Sequence, residues 1–291
     1  MKDLQKYKTI LTDIKCSCVD NLPHRSNLLQ KLINTENNKR GSFLVNEDIS
    51  LFLDPYIRYI TKLMDLIDKR PSRGKREEMF DLYREYQSFI RVLNKTHLGN
   101  NKEYFSSQSK YEPTIIEEFL ILFFRDLIED NLRVGSVKIK SSSKERPIYD
   151  HKASKWTSKE YTEKKDQDVA IYFEEDGKQT IIMAAEVKSS YIDKTMTNGT
   201  TNTFKDIHKE NPLAMTMIIT EAVTIDPEYI FEEGVFVYCL KKIGFRDHKS
   251  EYDYDFEVFN KMYNDVSNHI LSLKDDSLTH HEKLMTRGYI Y

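Results

Sequence analysis

The segment Gln179-Thr-Ile-Ile-Met-Ala-Ala-Glu-Val-Lys188 decides the fold of this chain. It is apolar at both odd and even positions as far as Val187, which is typical of a central strand covered on both faces. The preceding segment, Asp168-Val-Ala-Ile-Tyr-Phe173, is rich in β-branched and aromatic residues and predicts a second strand. Between them, Glu174-Glu-Asp-Gly-Lys178 contains the Asp-Gly pair of a tight hairpin turn. The two strands are therefore expected to be antiparallel neighbours.

Three charged residues stand at one end of this predicted hairpin. Glu186 and Lys188 are two residues apart on a strand, so both side chains are expected on the same face of the sheet. With a turn at Gly177, antiparallel pairing places Asp168 opposite Glu186. Two carboxylates and an amine therefore converge on one site. The structural alternative is a salt bridge between Lys188 and one carboxylate at a strand end.

A divalent cation suits the oxygen atoms of this site. Mg²⁺ prefers carboxylate and carbonyl ligands, so Asp168, Glu186 and the main-chain carbonyl of Val187 are the predicted ligands, with Mn²⁺ as a substitute. Lys188 is placed to orient or help deprotonate a water molecule and to offset charge on an attacked phosphate. Asp166 is an alternative to Asp168, but it lies farther outside the strand and matches Glu186 less well.

Periodicity defines the elements on either side of the hairpin. From residue 113 onward the predicted order is helix, strand, strand, strand, helix, strand, strand, followed by a terminal helix. The predicted elements beyond the hairpin are a helix over 113–128, strands over 137–140, 213–220 and 235–240, and helices over 203–210 and 254–273. Ser141–Ser143, the segment around Trp156 and Asn198–Asn202 are predicted loops. The predicted fold class is α/β (α+β), with a mixed central sheet flanked by helices.

The N-terminal part of the chain is predicted to be helical. Apolar residues recur at helical spacing over 56–67 and again over 79–93. Pro71 and Gly74 interrupt the pattern between them and predict a loop. The polar segment 94–110 reads as a boundary, so we predict a helical region over 1–110 and a core with a C-terminal helix over 111–291.

Composition describes a globular protein. The chain has 291 residues, of which 39% are apolar and 31% charged, enough to bury a core without disulfides. The longest apolar run is Phe119–Phe124, whereas a membrane helix needs about 20 such residues. No signal-peptide-like segment follows Met1–Leu11. The sequence predicts a cytoplasmic protein that does not enter a membrane.

Charge is segregated along the chain although the net charge is only −3. Residues 69–77 hold five basic residues and one acidic, 135–165 nine basic and four acidic, and 246–291 six basic and nine acidic. This pattern favours a nucleic acid as partner, with an acidic far side of the protein. The candidate DNA contacts are Arg73, Lys75, Arg76, Lys194, Thr195 and Asn198. Solvated surface charge, or pairing of the first basic segment with the acidic C-terminal stretch, is the alternative.

These residues carry a resemblance to a known superfamily. Asp168, the triplet Glu186-Val-Lys188 and the order of elements resemble the PD-(D/E)xK nucleases over roughly residues 111–245, although Gln167 stands where that motif has proline. The strings 186–196, 113–119 and Asn211-Pro212 look like type II restriction endonucleases. They are similar in particular to the group that includes heterodimeric enzymes cutting asymmetric seven-base-pair sites.

The resemblance implies a Mg²⁺-dependent endonuclease that cuts double-stranded DNA at a short sequence and leaves 5′-phosphate and 3′-hydroxyl ends. Because one catalytic centre cuts one strand, it also implies a second subunit, identical or related. It further implies that Glu118 of the preceding helix joins the metal site, with Glu117 as an alternative and a helix-dipole role as the structural explanation. A repair or recombination nuclease, or a non-catalytic DNA-binding protein on this fold, are the competing interpretations.

Overall fold

The computed structural model describes residues 2–37, 39, 46–97, 111–129, 131–150, 155–175, 178–223, 234–241, 254–275 and 282. Its N-terminal helices are α1 (Lys2–Asp13), α2 (Pro23–Glu36), α3 (Asn46–Ile67) and α4 (Arg73–His97). The predicted helical patterns over 56–67 and 79–93 therefore correspond to α3 and α4. These two helices pack through aromatic residues, since Tyr59 and Tyr86 stack with their ring centroids 4.6 Å apart.

The described strands of the second part form one five-stranded sheet flanked by helices, as predicted. The elements are α5 (Tyr111–Phe124), β1 (Arg133–Asp150), β2 (Lys155–Glu175), β3 (Lys178–Ile192), α6 (Lys194–Glu210), β4 (Met215–Val223), β5 (Val235–Cys239) and α7 (Phe256–Lys274). The strand order is β1-β2-β3-β4-β5, with β1, β2 and β3 antiparallel and β3, β4 and β5 parallel. Helix α6 supplies the crossover that parallel neighbours require.

Strand β3 lies at the centre of the sheet and is covered on both faces, as its sequence predicts. Met183 packs in one apolar cluster with α5 and α7, whereas Ala184 packs in a second cluster with α6. Both residues are fully buried. The helices of the N-terminal region contribute to the first of these clusters, so the sheet face that carries α5 and α7 is the more deeply covered one.

Strands β1 and β2 are much longer than predicted. Ser141–Ser143, expected in a loop, lies within β1, and Trp156, also expected in a loop, lies within β2. The two strands pair with each other along this length, and the pairs include Ile148 with Thr157 and Tyr149 with Trp156. These are residue types favoured in strands, but the many charged residues around them conceal that signal in the sequence.

Helix α6 begins nine residues before the predicted start at Thr203, so Asn198–Asn202 is helical rather than a loop. Asp193 caps the helix, because its carboxylate accepts a hydrogen bond from the backbone N–H of Met196 at 2.8 Å. The hydroxyl groups of the buried threonines donate hydrogen bonds to backbone carbonyls one turn earlier. Thr197 donates to the carbonyl of Asp193, and Thr201 donates to the carbonyl of Thr197. These bonds let polar residues occupy the buried face.

The terminal helix α7 matches its prediction, and Phe259 lies in the same cluster as Phe119 of α5. Within the described residues, no helix is both long enough and apolar enough to cross a membrane. Most of the predicted boundary segment 94–110, namely residues 98–110, lies outside the described residues.

Candidate active site at the end of the β2–β3 ladder

The predicted hairpin register is the observed one. Val169 pairs with Ala185, and Ala170 with Ala184, so continuation of the ladder by one step sets Asp168 opposite Glu186. Within the described residues, the β2–β3 ladder ends at the Val169 pair. The turn residues 176 and 177 lie outside the described residues, although the strands on either side end at 175 and begin at 178.

Beyond this point the two strands separate. Strand β3 continues beside β4, with Lys188 paired to Thr220, while β2 in the other direction continues beside β1. We call the place where they separate the strand fork and define it by Asp168, Glu186 and Lys188. A fork in a sheet leaves backbone and side chains that no third strand covers, which gives a ligand access to them.

The three side chains of the strand fork belong to one face of the sheet. Alternate residues of a strand point to opposite faces, and Ala170 and Ala184 pack against Phe204 of α6. Asp168 and Glu186 share their parity and therefore their face. Helix α6 consequently covers the same side of the sheet and begins directly after the strand that carries Glu186.

Asp168 is held against β3 by a main-chain hydrogen bond. Its Oδ2 accepts from the backbone N–H of Val187 at 2.8 Å, and the residue is half-buried. This bond fixes the Asp168 carboxylate beside Val187, the residue whose own carbonyl was predicted as a metal ligand. The bond forms across the fork, where the ladder itself has ended.

Lys188 and Glu186 form an ion pair with Nζ and Oε1 2.5 Å apart. Their side chains are 27% and 20% exposed, so solvent reaches both. A strand-end salt bridge with no other role would produce the same contact. The presence of Asp168 at the matching position, tied to Val187, is the feature that such a salt bridge does not require.

The donor set of the strand fork fits a hard cation. Two carboxylates and a main-chain carbonyl are oxygen ligands of the kind that Mg²⁺ and Mn²⁺ accept, and solvent access allows water molecules to complete an octahedral shell. Among the described residues, no group of three or more His, Cys, Asp or Glu side chains is arranged to hold a metal ion. A metal ion at the fork would therefore have two carboxylate ligands and would take its other ligands from main-chain and water oxygens.

Glu118 does not lie at this site, contrary to the expectation from sequence. Its Oε1 accepts from Tyr56 Oη and its Oε2 from the backbone N–H of Arg25, each at 2.8 Å, and the residue is only 1% exposed. Helix α5 covers the sheet face that contains Val169 and Ala185, opposite to the face of the strand fork. Glu118 instead joins α2, α3 and α5 in the helical core.

Burial governs the protonation of this carboxyl group. It raises the pKa of Glu118 to about 7, although the hydrogen bonds from Arg25 and Tyr56 act in the opposite direction. Burial likewise raises the pKa of the Tyr56 hydroxyl well above its ordinary value. Glu117, the sequence alternative, is half-buried on the same helix.

The comparisons with known proteins bear on the fold. No protein-family model and no curated protein matches this sequence. Among solved structures, the chain is similar to one described as the native BbvCI A2B2 tetramer at low resolution, with a TM-score of 0.60 and 19% sequence identity. The match covers 87% of this chain and 96% of that chain. The two chains share a fold.

The basic segment predicted to bind DNA is tied into the protein. Helix α4 begins at Arg73, so Arg73, Lys75 and Arg76 lie in its first turn rather than on a loop. Contrary to expectation, Lys75 is buried: its Nζ donates to the carbonyls of Ile67 and Lys69 and pairs with Asp126 at 2.7 Å. An ammonium group with three buried acceptors is not available to a phosphate.

The two arginines of this turn face α7, which lies within the acidic C-terminal stretch, as the alternative interpretation proposed. Arg73 pairs with Glu77 and with Glu257 of α7. Arg76 donates from Nε and Nη2 to Asn260 Oδ1 at 3.1 and 2.9 Å, and its guanidinium lies 4.3 Å from the centre of the Tyr263 ring. These contacts join α4 to α7 and give the segment a structural role.

The remaining predicted contacts lie beside the strand fork in sequence. Lys194, Thr195 and Asn198 are exposed residues in the first turns of α6. Because α6 follows β3 and covers the fork's face of the sheet, the fold leaves these residues on the side of the molecule where a bound substrate would lie. The alternative metal ligand Asp166 lies farther along β2, where it pairs with Lys138 of β1.

Sequence reasoning missed two features of this surface. The helical character of Lys194–Asn202 was hidden by Asn198, Gly199 and repeated threonines, although Asp193 three residues before Met196 is an N-cap signal. The extension of β1 and β2 beyond the sheet was also missed. Its signal was the run of β-branched and aromatic residues at 148–149 and 156–157.

Proposed function

We propose that this protein is a Mg²⁺-dependent nuclease of the type II restriction endonuclease kind, which hydrolyses phosphodiester bonds of double-stranded DNA at a specific short sequence. The observation that carries the proposal is the convergence of Asp168, Glu186 and Lys188 at the strand fork. The shared fold with BbvCI, a type II restriction endonuclease, supports it. Membership of the PD-(D/E)xK superfamily is part of the same proposal.

Each residue of the strand fork has a role in this reaction. Asp168, Glu186 and the carbonyl of Val187 would hold a Mg²⁺ ion, which would supply Lewis-acid charge to the attacked phosphate. The main-chain bond from Val187 keeps the Asp168 carboxylate in place. Lys188 orients the attacking water and offsets the negative charge that develops on the phosphate. Water adds to phosphorus, the bond to the 3′ oxygen breaks, and the products are a 5′-phosphate and a 3′-hydroxyl.

Double-strand cleavage requires two such centres, one for each strand. We therefore propose a second subunit, either another copy of this chain or a related chain. The tetrameric A2B2 assembly described for BbvCI supports this part of the proposal. The chain on its own distinguishes the two cases: a homodimer converts supercoiled plasmid to linear DNA, whereas half of a heterodimer only nicks it or leaves it intact until its partner is added.

The test of the function is incubation of the purified protein with phage DNA. Discrete fragments with 5′-phosphate ends are expected in Mg²⁺ or Mn²⁺, EDTA should stop cleavage, and Ca²⁺ should permit binding without turnover. Cleavage confined to branched or damaged DNA would favour a repair nuclease instead. DNA binding without cleavage in any metal, with candidate partner chains present, would favour a non-catalytic protein on this fold.

A further inference from the structure

Strands β1 and β2 continue past the strand fork as a two-stranded ribbon. Residues 138–150 of β1 pair with residues 155–166 of β2, from Lys138 with Asp166 to Asp150 with Lys155. Within the described residues, the pairing of β2 with β3 begins only at Val169. We call this paired segment the β1–β2 ribbon. Among the described residues, β1 and β2 are the only paired strands over this length.

The β1–β2 ribbon concentrates positive charge. The two paired segments, residues 138–150 and 155–166, hold eight Lys or Arg and five Asp or Glu, although the whole chain has a net charge of −3. In the register of the ribbon, Lys140 stands opposite Lys164 and Arg146 opposite Lys159, while the acidic positions Glu145 and Glu160 stand opposite each other between them. The excess of basic residues favours a polyanionic ligand.

The β1–β2 ribbon is also joined directly to the proposed catalytic centre. It is the continuation of the strand that carries Asp168, and it ends two residues before that carboxylate. A polyanion bound along the ribbon therefore passes the strand fork. At about 3.3 Å per residue, residues 138–150 extend over roughly 40 Å, and the major groove of B-DNA, about 12 Å wide, admits a two-stranded ribbon.

We propose that the β1–β2 ribbon is a DNA-binding arm whose cations neutralise backbone phosphates of the duplex next to the bond that is cut. The proposal rests on the proposed function and names the surface that holds its substrate. Phosphate contacts position a duplex without reading its sequence. The arm therefore contributes affinity and register on the DNA, while sequence recognition belongs to other residues.

The salt dependence of DNA binding tests this arm. The logarithm of the binding constant, measured in Ca²⁺ against the logarithm of salt concentration, has a slope that falls by about one unit for each phosphate contact removed. Two double variants, Lys140→Ala with Lys164→Ala and Arg146→Ala with Lys159→Ala, are each expected to lower the slope by one to two units. The matched control, Lys261→Ala with Lys274→Ala, removes two exposed lysines of α7 and should leave the slope unchanged.

Folding and assembly are measured on the same samples. Each ribbon variant should keep the thermal midpoint of the wild type without DNA, which shows that it is folded. If the ribbon variants have the same salt slope as the α7 control, the proposal that the ribbon binds DNA is wrong. If, in addition, these variants no longer form a dimer, the ribbon belongs to a protein interface.

Wild-type cleavage in Mg²⁺ separates the two proposals. If the wild type cuts DNA while the ribbon variants behave like the control, the arm fails and the proposed function stands. If the wild type neither binds nor cuts DNA, alone or with its partner chain, both fail.

Discussion

Two groups of charged residues in this molecule look alike in the sequence and differ in their surroundings. At the strand fork, the side chains of Glu186 and Lys188 are 20% and 27% exposed. In the helical core, Glu118 is 1% exposed and the side chain of Lys75 is 2% exposed. Each group contains an ion pair, Lys188 with Glu186 at the strand fork and Lys75 with Asp126 in the helical core. Access to solvent, and not charge pattern, separates a site that can bind a substrate from one that cannot.

The bonding of the two groups explains the difference. Lys75 has three acceptors and Glu118 two donors, so each buried charge is satisfied by the protein itself. Such groups stabilise the packing of the helices and are not available to bind a ligand. The ion pair of the strand fork is partly exposed and therefore weak, so a metal ion or a phosphate can rearrange it.

The largest expected effect is at Lys188. Lys188→Met should lower the single-turnover cleavage rate by about 10²- to 10⁴-fold, because it removes the group that acts on water and phosphate. The thermal midpoint should change little, since a partly exposed ion pair contributes at most about 1 kcal/mol. Lys261→Met, at an exposed position of α7, is the control. A near-wild-type rate for Lys188→Met would remove this residue from the site.

A change at Lys75 should act on stability instead. Lys75→Met leaves the Asp126 carboxylate and the carbonyls of Ile67 and Lys69 without their buried donor. We expect a loss of about 3 kcal/mol or more in the free energy of unfolding, measured with urea, against almost none for the exposed Lys62→Met. Folded Lys75→Met should bind DNA with the wild-type salt slope. A stable variant with weakened DNA binding would contradict this assignment.

Glu118 should make stability depend on pH. Its pKa is about 7 in the folded protein and near 4.5 in the unfolded chain, so the folded state binds the extra proton between these values. Its contribution to the free energy of unfolding is greatest below pH 4.5 and is lost as pH rises through 7. The free energy of unfolding should therefore fall by about 2–3 kcal/mol between pH 5 and pH 8. Glu118→Gln should remove that decrease, whereas the other titrating groups are the same in both proteins. Parallel stability curves for the two proteins would refute the shift.

The smallest effect is expected at Arg76. Arg76→Ala loses two hydrogen bonds to Asn260 and the contact with the Tyr263 ring, which together should contribute about 1–2 kcal/mol to stability. The salt slope of DNA binding should not change, because the guanidinium is already engaged by α7. If the salt slope of Arg76→Ala is lower by about one unit, Arg76 contacts a DNA phosphate and this assignment is wrong.

Features that depend on neighbouring residues could be predicted from the sequence. The antiparallel pairing of β2 and β3 follows from the turn between them, and a turn centred at Gly177 predicts the register that is observed at Val169 and Ala185. Nearer the turn the observed register differs by one residue, and the irregularity between Ile171 and Tyr172 brings it to the predicted one. The central strand, the order of the elements from α5 to α7 and the helices α3 and α4 follow from apolar periodicity in the same way.

Features that depend on distant partners could not be predicted. Tyr56 is 62 residues from Glu118, and Asp126 is 51 residues from Lys75, so no local pattern reveals that these charges are buried. The β1–β2 ribbon was not predicted because its many charged residues break the alternation of apolar and polar positions that indicates a strand. The first turns of helix α6 were not predicted because hydrogen bonds from threonine hydroxyls to the backbone allow a polar segment to be helical.

The central claim is that the carboxylates of the strand fork, and not the buried carboxylate of α5, carry out cleavage. Single-turnover cleavage of duplex DNA in Mg²⁺ by the wild type, Asp168→Asn and Glu118→Gln, with any required partner chain present, tests it most directly. We predict that Asp168→Asn lowers the rate by about 10²-fold or more while still binding DNA in Ca²⁺, and that folded Glu118→Gln cuts at nearly the wild-type rate. Wild-type cleavage by Asp168→Asn, or an equal loss in both variants, would contradict it.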